Sequence, residues 1–293
     1  MSANGRTLFQ FTISRIARLY PVYWASVILT CVFVYFYGKD IDTFITIKNF
    51  FANMTMQPFA FGGYPIDGSY WSLSVELKFY ILIGILLLIN GYKYLENLTL
   101  ILSALVGLGA ATNTLPFNWA SYFLAGIIYY FIYTDGLSRV RLASLSLSCV
   151  ASIIYATSRA PGLDSSYHTP FNIYIIASFI LCFYIVFLIV SLKKFDAFLN
   201  RNLKEKQKDF VIILGSLTFP VYLLHQVIGH IILQKLEAVS VNPYIALIIT
   251  SSIIIALSYL LNTYIEKQGR DIILNVSKKL ISQKNKIFKD SQS

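Results

Sequence analysis

The feature that most constrains this chain is a succession of apolar runs, separated by short segments in which the charged residues cluster. A helix needs about 20 mainly apolar residues to cross ~30 Å of hydrocarbon, and most of these runs approach that length. We predict spans at 17–37, 69–89, 98–115, 117–133, 139–158, 171–192, 211–234 and 243–262. The sequence therefore predicts an all-α fold, a polytopic transmembrane helical bundle of about eight helices.

The composition agrees, because only 13% of the residues are charged, roughly half the share found in soluble domains. Arginines precede the first run, which continues into a full span, so this segment does not have a signal-peptide pattern. We find no repeat or linker, and predict one domain over 1–293 with a basic tail at about 266–293. The three cysteines lie in apolar runs without metal-ligand spacing, so no metal is expected.

The net charge of +10 suggests nucleic-acid binding, but its distribution along the chain argues against that partner. The loop 191–210 and the tail after 265 are both clearly basic, whereas 38–68 is slightly acidic. Loops rich in Lys and Arg stay in the cytoplasm. We therefore expect both termini to be cytoplasmic, as in a bacterial inner-membrane protein, and the tail to contact anionic membrane lipid.

The segment 38–68 is too rich in Phe and Met for a plain solvated loop. It either lies in the membrane interface or re-enters the membrane, and the sequence leaves both alternatives open. Asn53-Met54-Thr55 within it also fits the short N-glycosylation pattern, a weak match.

A carboxylate inside the second span is the first candidate for chemistry. Ser72, Glu76 and Tyr80 follow at four-residue spacing and form one polar stripe on a helix, with Lys78 on nearly the opposite side. Charges within a membrane are costly and usually mark a functional site. Counted from Ser69, Glu76 lies about 10 Å below the outer surface.

A second stripe is formed by Thr218, Tyr222 and His225 in the run 211–234. Counted from the end of that run, His225 lies about 14 Å deep, so both stripes could face one cavity. The alternative is a structural hydrogen bond from Glu76 to His or Tyr that ties two helices together. Pro220 predicts a kink just before His225. The kink is either tolerated without a role, or it redirects the side chains of Tyr222 and His225.

Arg15 and Arg18 share a helix face at the cytoplasmic edge of the first span. They are either ordinary flanking charge beside an aromatic belt, or a site where two guanidinium groups grip phosphates of an anionic donor. His168 and His230 are interpreted as a loop and an interfacial histidine.

Three blocks resemble, in order and spacing, the membrane-bound acyltransferase 3 family. They are Arg15-Ile-Ala-Arg18-Leu-Tyr-Pro21, Tyr70-Trp-Ser-Leu-Ser-Val-Glu76-Leu-Lys-Phe-Tyr80 and Thr218-Phe-Pro-Val-Tyr222-Leu-Leu-His225. The second block is the most specific, although Lys78 stands where the family often has a neutral or acidic residue. The resemblance extends over nearly the whole chain. It implies an integral membrane protein of about ten helices that O-acylates sugars of envelope glycans, antibiotics or lipids.

By this resemblance, Arg15 and Arg18 serve an acyl-CoA donor, most simply acetyl-CoA, on the cytoplasmic side. Glu76, Tyr222 and His225 line the catalytic cavity. The family's first helix carries an arginine and, about three turns later, a histidine base. This chain starts just before the Arg15 helix, so we expect those two helices to be missing, or to come from a partner.

We therefore expect a membrane O-acyltransferase that moves an acyl group to a hydroxyl of a glycan or lipid-linked sugar, or an incomplete form of one. A base must deprotonate that hydroxyl, and a donor must hold the developing oxyanion. Glu76 could take the proton or orient an imidazolium, and Tyr222 could donate. The alternative is a non-catalytic transporter or envelope-assembly subunit that uses the same cavity.

Overall fold

A computed structural model describes residues 7–38, 45–112, 114, 119–167 and 171–290, and the secondary structure within these ranges is helical. The α-helices are α1 (Leu8–Tyr37), α2 (Ile47–Met54), α3 (Trp71–Leu88), α4 (Leu95–Thr112), α5 (Ala120–Asp135), α6 (Arg139–Tyr167), α7 (Ile173–Val190), α8 (Lys193–Asn202), α9 (Glu205–Leu224), α10 (Val227–Ala238), α11 (Pro243–Leu260) and α12 (Lys267–Asp290). The predicted all-α class is confirmed. His168 lies outside the described residues.

Seven helical stretches among the described residues are long and apolar enough to cross a membrane. They fall in α1, α3, α4, α6, α7, α9 and the continuous α11–α12 rod. The predicted span 117–133 corresponds to α5, which has only 16 described residues. The polytopic bundle is thus confirmed, with one of the eight predicted spans shorter than the others.

The prediction of one helix over 211–234 is wrong. Helix α9 continues through Pro220 and ends at Leu224, and α10 starts at Val227 after a turn at His225 and Gln226. Pro220 therefore does not break the helix. The break occurs where a side chain from elsewhere in the chain caps the first N–H of α10, as described below.

The basic tail is helical as far as the structure describes it. A π-helical turn, Leu261–Glu266, joins α11 directly to α12, so one rod extends from Pro243 to Asp290. Helix α12 packs against α1 where Gly269 meets Pro21, and a Cβ on Gly269 would lie 2.5 Å from the Cβ of Pro21. This glycine therefore permits the close approach of the two helices.

The chain separates into two compact units, which are described separately. The first is formed mostly by Ile89–Glu205 and contains α4 to α8. Serines allow its helices to approach closely, with Ser103 bonded to Ser148 at 3.0 Å and Ser121 bonded to Ser152 at 2.8 Å. The prediction of a single domain is not tested by this division.

An ion pair also holds the first unit together. Arg141 donates to both carboxylate oxygens of Glu96, at 2.7 and 2.9 Å, and to the carbonyl oxygen of Gly136. One guanidinium thus ties the starts of α4 and α6 to the end of α5, in the bidentate geometry that favours arginine over lysine.

The second unit, Gly5–Leu88 with Lys206–Ser293, contains the predicted site residues. Its core includes the fully buried side chains of Tyr23, Tyr70, Leu73 and Leu223. The rings of Tyr23 and Tyr70 meet edge to face, 5.2 Å apart. Because Tyr23 lies near the middle of α1, helix α3 begins at the midpoint of α1 and not at its end.

Candidate functional site

The described part of the segment between α1 and α3, residues 45–70, folds back along α1. Helix α2 ends in carbonyl groups that have no partner within the helix. Side chains of α1 satisfy them: the Tyr23 hydroxyl donates to the Asn53 carbonyl at 2.6 Å, and the Trp24 indole to that of Met54 at 2.9 Å. The segment thus reaches the midpoint of α1, a position that favours the re-entrant alternative over one in the membrane interface.

Asn53 organises this segment internally. Its amide nitrogen donates to the carbonyl groups of Asn49 and Tyr64, both at 2.8 Å, and its amide oxygen accepts from the Ile66 N–H at 3.1 Å. The side chain is fully buried. The glycosylation match at Asn53 is therefore wrong, since a glycan on this amide would have to replace its hydrogen bonds.

The two predicted polar stripes meet at Ser72 and Tyr222. The two hydroxyl oxygens lie 2.6 Å apart, and the Tyr222 hydroxyl also donates to the carbonyl oxygen of Ser69 at 2.7 Å. Thr218 does not take part, because its exposed hydroxyl bonds to the Gly215 carbonyl of its own helix. The contact between α3 and α9 is thus made by Tyr222 and the first turn of α3.

Glu76 lies one turn beyond Ser72 and accepts a hydrogen bond from the Tyr80 hydroxyl. This bond is within α3, so it does not tie two helices together as the structural alternative supposed. Because α3 begins at the middle of α1, Glu76 is farther from the C-terminal end of α1 than a count from Ser69 predicts. The predicted similar depth of Glu76 and His225 is therefore not supported.

Arg15 lies against the ring of Tyr80, whose hydroxyl donates to Glu76. Its guanidinium carbon lies 5.4 Å from the centre of the Tyr80 ring and 5.8 Å from that of Phe11, positions that favour cation–π attraction. The Arg15 side chain is largely buried. A buried cation thus stands beside a carboxylate-bound phenol, a combination that can hold an anionic ligand.

These residues face a cavity of about 340 Å³ between α1 and α3. Arg15 and Tyr80 contribute polar atoms, and the walls are mainly aliphatic side chains such as Leu19, Leu77 and Ile81. We name this space the α1–α3 groove. Its chemistry suits a ligand with an apolar arm and an anionic group.

Arg18 lies in a different environment from Arg15. It is exposed, and its charge interacts with that of Glu266 in the π-helical turn, whereas Arg15 lies against α3. The structure therefore places only Arg15 in the groove.

His225 lies in the turn between α9 and α10 and is exposed. Its Nδ1 is 2.8 Å from the carbonyl oxygen of Tyr222. Because a carbonyl oxygen can only accept, Nδ1 carries the hydrogen, and in the neutral ring Nε2 is left with a free lone pair. This is the tautomer that a general base requires.

The sequence interpretation missed Asp67, whose side chain is fully buried. One carboxylate oxygen accepts from the N–H and hydroxyl of Ser69, at 2.8 and 2.6 Å, and the other from the N–H of Val227 at 3.0 Å. Asp67 thereby starts both the turn before α3 and helix α10. Asp-Gly-Ser signals a local turn, but nothing near it indicates a partner 160 positions away.

The fold and this site define a class: a helical integral membrane protein with a buried cation, a carboxylate and an imidazole close to one contact between helices. A sequence model of one family, described as an acyltransferase domain, matches residues 1–263. The chain therefore belongs to the acyltransferase 3 family. Neither a curated protein nor a solved structure gives a significant match.

Proposed function

We propose that this protein is a membrane O-acyltransferase that moves an acyl group, most simply acetyl, from cytoplasmic acyl-CoA to a sugar hydroxyl. The family membership supports acyl transfer in general. The observation that carries the finer proposal is the α1–α3 groove, which is lined by Arg15 and Tyr80, with Glu76 bonded to the Tyr80 hydroxyl. A glycan or lipid-linked sugar of the cell envelope is the proposed acceptor.

The groove is proposed as the donor site because its two kinds of surface match the two parts of the donor. Acyl-CoA joins phosphates to a long, weakly polar arm that ends in the thioester. Arg15 would hold a phosphate through its planar fork, while the aliphatic walls would cover the arm. Arg18, outside the groove, would add only attraction at longer range.

The remaining polar groups supply the parts that acyl transfer needs. The Nε2 of His225 would take the proton as the acceptor oxygen forms a bond to the thioester carbonyl. The hydroxyl of Tyr222, turned away from the carbonyl oxygen of Ser69, would donate to the resulting oxyanion. When the C–S bond breaks, the CoA sulfur leaves and receives the proton from the imidazolium. The negative charge of Glu76 would stabilise the imidazolium in a medium of low dielectric.

The proposed orientation puts both termini and the loop 191–210 on the cytoplasmic side of a bacterial inner membrane, where acyl-CoA is available. The charge distribution supports this orientation. The family pattern implied by the resemblance includes two further helices, one with an arginine and a histidine, and the proposed active enzyme includes them. Activity is therefore assayed both with this chain alone and with such helices co-expressed.

Two pairs of variants in lipid nanodiscs test the donor site. We expect Arg15→Lys to weaken acetyl-CoA binding by about 10-fold or more, because a charge-assisted bond contributes about 1.5–3 kcal/mol. The matched change Arg18→Lys should have a much smaller effect. Calorimetric titration with acetyl-CoA measures both, and equal affinities for wild type and Arg15→Lys would remove Arg15 from the donor site.

The second pair tests the charge of Glu76. A glutamine there still accepts the Tyr80 hydrogen bond, so Glu76→Gln should remain folded while transfer of radiolabelled acetyl falls by about 100-fold or more. Lys78→Gln, on an exposed face of the same helix, should retain activity. An active Glu76→Gln enzyme would exclude Glu76 from the mechanism, and a loss of folded protein would return it to a structural role.

A further inference from the structure

Helix α8, Lys193–Asn202, is a short helix between two membrane spans. The span in α7 ends at Val190 and the one in α9 begins at Glu205, and only two residues separate α8 from each of these helices. Both ends of α8 are therefore held where the chain leaves or enters the bilayer. Since both ends are at the surface, α8 lies along it, on whichever side of the membrane the loop 191–210 is placed.

One face of α8 is apolar and is not covered by protein. Phe195, Phe198 and Leu199 follow at spacings of three and four residues and so share this face. The rings of Phe195 and Phe198 stack, with their centres 6.4 Å apart. Phe198 is 59% exposed, and α8 contains no buried residue. Such a face is unfavourable in water, whereas at the membrane boundary it inserts among acyl chains.

Two cations border this apolar face. Lys194 precedes Phe198 by four residues and Arg201 follows it by three, so both neighbour Phe198 on the helix surface. Both are exposed, and neither forms an ion pair with another described residue. Asp196, the acidic residue of α8, lies on nearly the opposite side of the helix from Lys194 and accepts a hydrogen bond from the Tyr133 hydroxyl. The two cations therefore keep their charge for a ligand.

We infer that α8 is a binding site for anionic phospholipid, in which Lys194 and Arg201 hold the phosphate of the headgroup and Phe198 packs against the acyl chains. Lys and Arg can lie with their apolar stems beside acyl chains while their charges reach the phosphate level. A free phosphate would lack the part that contacts Phe198, and a zwitterionic headgroup carries an ammonium group that the two cations repel. This inference is independent of acyl transfer. The charge distribution alone predicted a lipid contact for the tail after 265, and not for this helix.

Hydrogen exchange of the full-length protein in nanodiscs tests the site. The discs contain either phosphatidylcholine alone or an equal mixture of phosphatidylcholine and phosphatidylglycerol. Amides of α8 should exchange about tenfold more slowly in the mixed discs, because the bound headgroup opposes opening of this helix. Amides of α4 to α7 should exchange at the same rate in both kinds of disc.

Two adjacent lysines provide a matched pair of variants. Lys194→Gln should reduce the protection by phosphatidylglycerol to about threefold or less, and Arg201→Gln should do the same. Lys193→Gln removes the same charge from an exposed position that is turned away from Phe198, so it should keep the protection. Phe198→Ala keeps a high helix propensity but should speed exchange in both kinds of disc, because the ring no longer holds α8 in the bilayer.

Any of four results would overturn the inference. Equal exchange of α8 in the two kinds of disc would show that the helix does not distinguish anionic lipid. Equal loss of protection in Lys193→Gln and Lys194→Gln would show diffuse attraction by the basic loop and no defined site. Unchanged exchange in Phe198→Ala would show that the apolar face does not enter the bilayer. Inorganic phosphate that protects α8 in phosphatidylcholine discs as well as phosphatidylglycerol does would identify the ligand as a free anion.

Discussion

Asp67 is the residue whose replacement should most sharply test how this site is held. In Asp67→Asn the side chain keeps its shape but has one oxygen and one NH₂ group. The oxygen is best placed where it still accepts from the N–H and the hydroxyl of Ser69, since that position satisfies two donors. The NH₂ group then faces the N–H of Val227, and the bond that starts α10 is lost.

The expected cost follows from these contacts. Loss of one bond to a buried carboxylate costs about 1.5–3 kcal/mol, because the Val227 N–H is left without its charged partner. Removal of a negative charge from the start of a helix adds about 0.3–1 kcal/mol. Asp67→Asn should therefore destabilise the protein by about 2–4 kcal/mol. Asp271→Asn, an exposed carboxylate paired with its neighbour Arg270, should change stability by less than about 0.5 kcal/mol.

The assay is thermal unfolding in nanodiscs combined with hydrogen exchange. Peptides that cover the start of α10 should exchange faster in Asp67→Asn, because the Val227 amide has lost its acceptor. Peptides from α4 to α7 should be unchanged. An unfolding midpoint equal to the wild type, with unchanged exchange at Val227, would show that Asp67 does not hold the α9–α10 break.

Two further predictions concern packing and orientation. Gly269→Ala should destabilise the protein by about 1–3 kcal/mol, because its Cβ would meet the rigid ring of Pro21 at 2.5 Å. Gly215→Ala, whose Cβ would meet nothing within 4 Å, should stabilise α9 by about 1 kcal/mol. A thermal unfolding midpoint that is higher for Gly269→Ala than for Gly215→Ala would contradict the contact between Gly269 and Pro21. With the native cysteines replaced, an impermeant maleimide applied to intact cells should label Glu237→Cys and not Gln207→Cys, and the reverse pattern would overturn the proposed orientation.

Most of the fold follows from the length of the apolar runs, because a membrane-spanning helix must satisfy the hydrogen bonds of its backbone within one continuous segment. The apolar run 171–192, for instance, corresponds closely to α7, Ile173–Val190. The run 211–234 misled the prediction because its apolar character continues across the turn at His225 and Gln226. The carboxylate of Asp67 accepts from the first N–H of α10 directly after that turn, a contact that no local pattern could indicate.

The candidate site shows the same division between local and distant contacts. Four-residue spacing correctly placed Ser72, Glu76 and Tyr80 on one stripe, because helix geometry fixes such neighbours. It could not show that α3 begins at the midpoint of α1, since that depends on the re-entrant segment. It also grouped Arg15 with Arg18, although Arg15 packs against α3 and Arg18 is exposed near Glu266.

Tyr222 is the residue that connects the two polar stripes of the site. Its hydroxyl meets Ser72, one turn from Glu76 and near the donor groove, while its carbonyl oxygen fixes the imidazole of His225. A side chain and a backbone atom of one residue thus set the positions of the oxyanion donor and the base. Because the carbonyl remains in any variant, Tyr222→Phe would remove the oxyanion donor and leave His225 in place. That variant should therefore bind acetyl-CoA normally and lose transfer, a combination that neither a misfolded protein nor a damaged donor site would give.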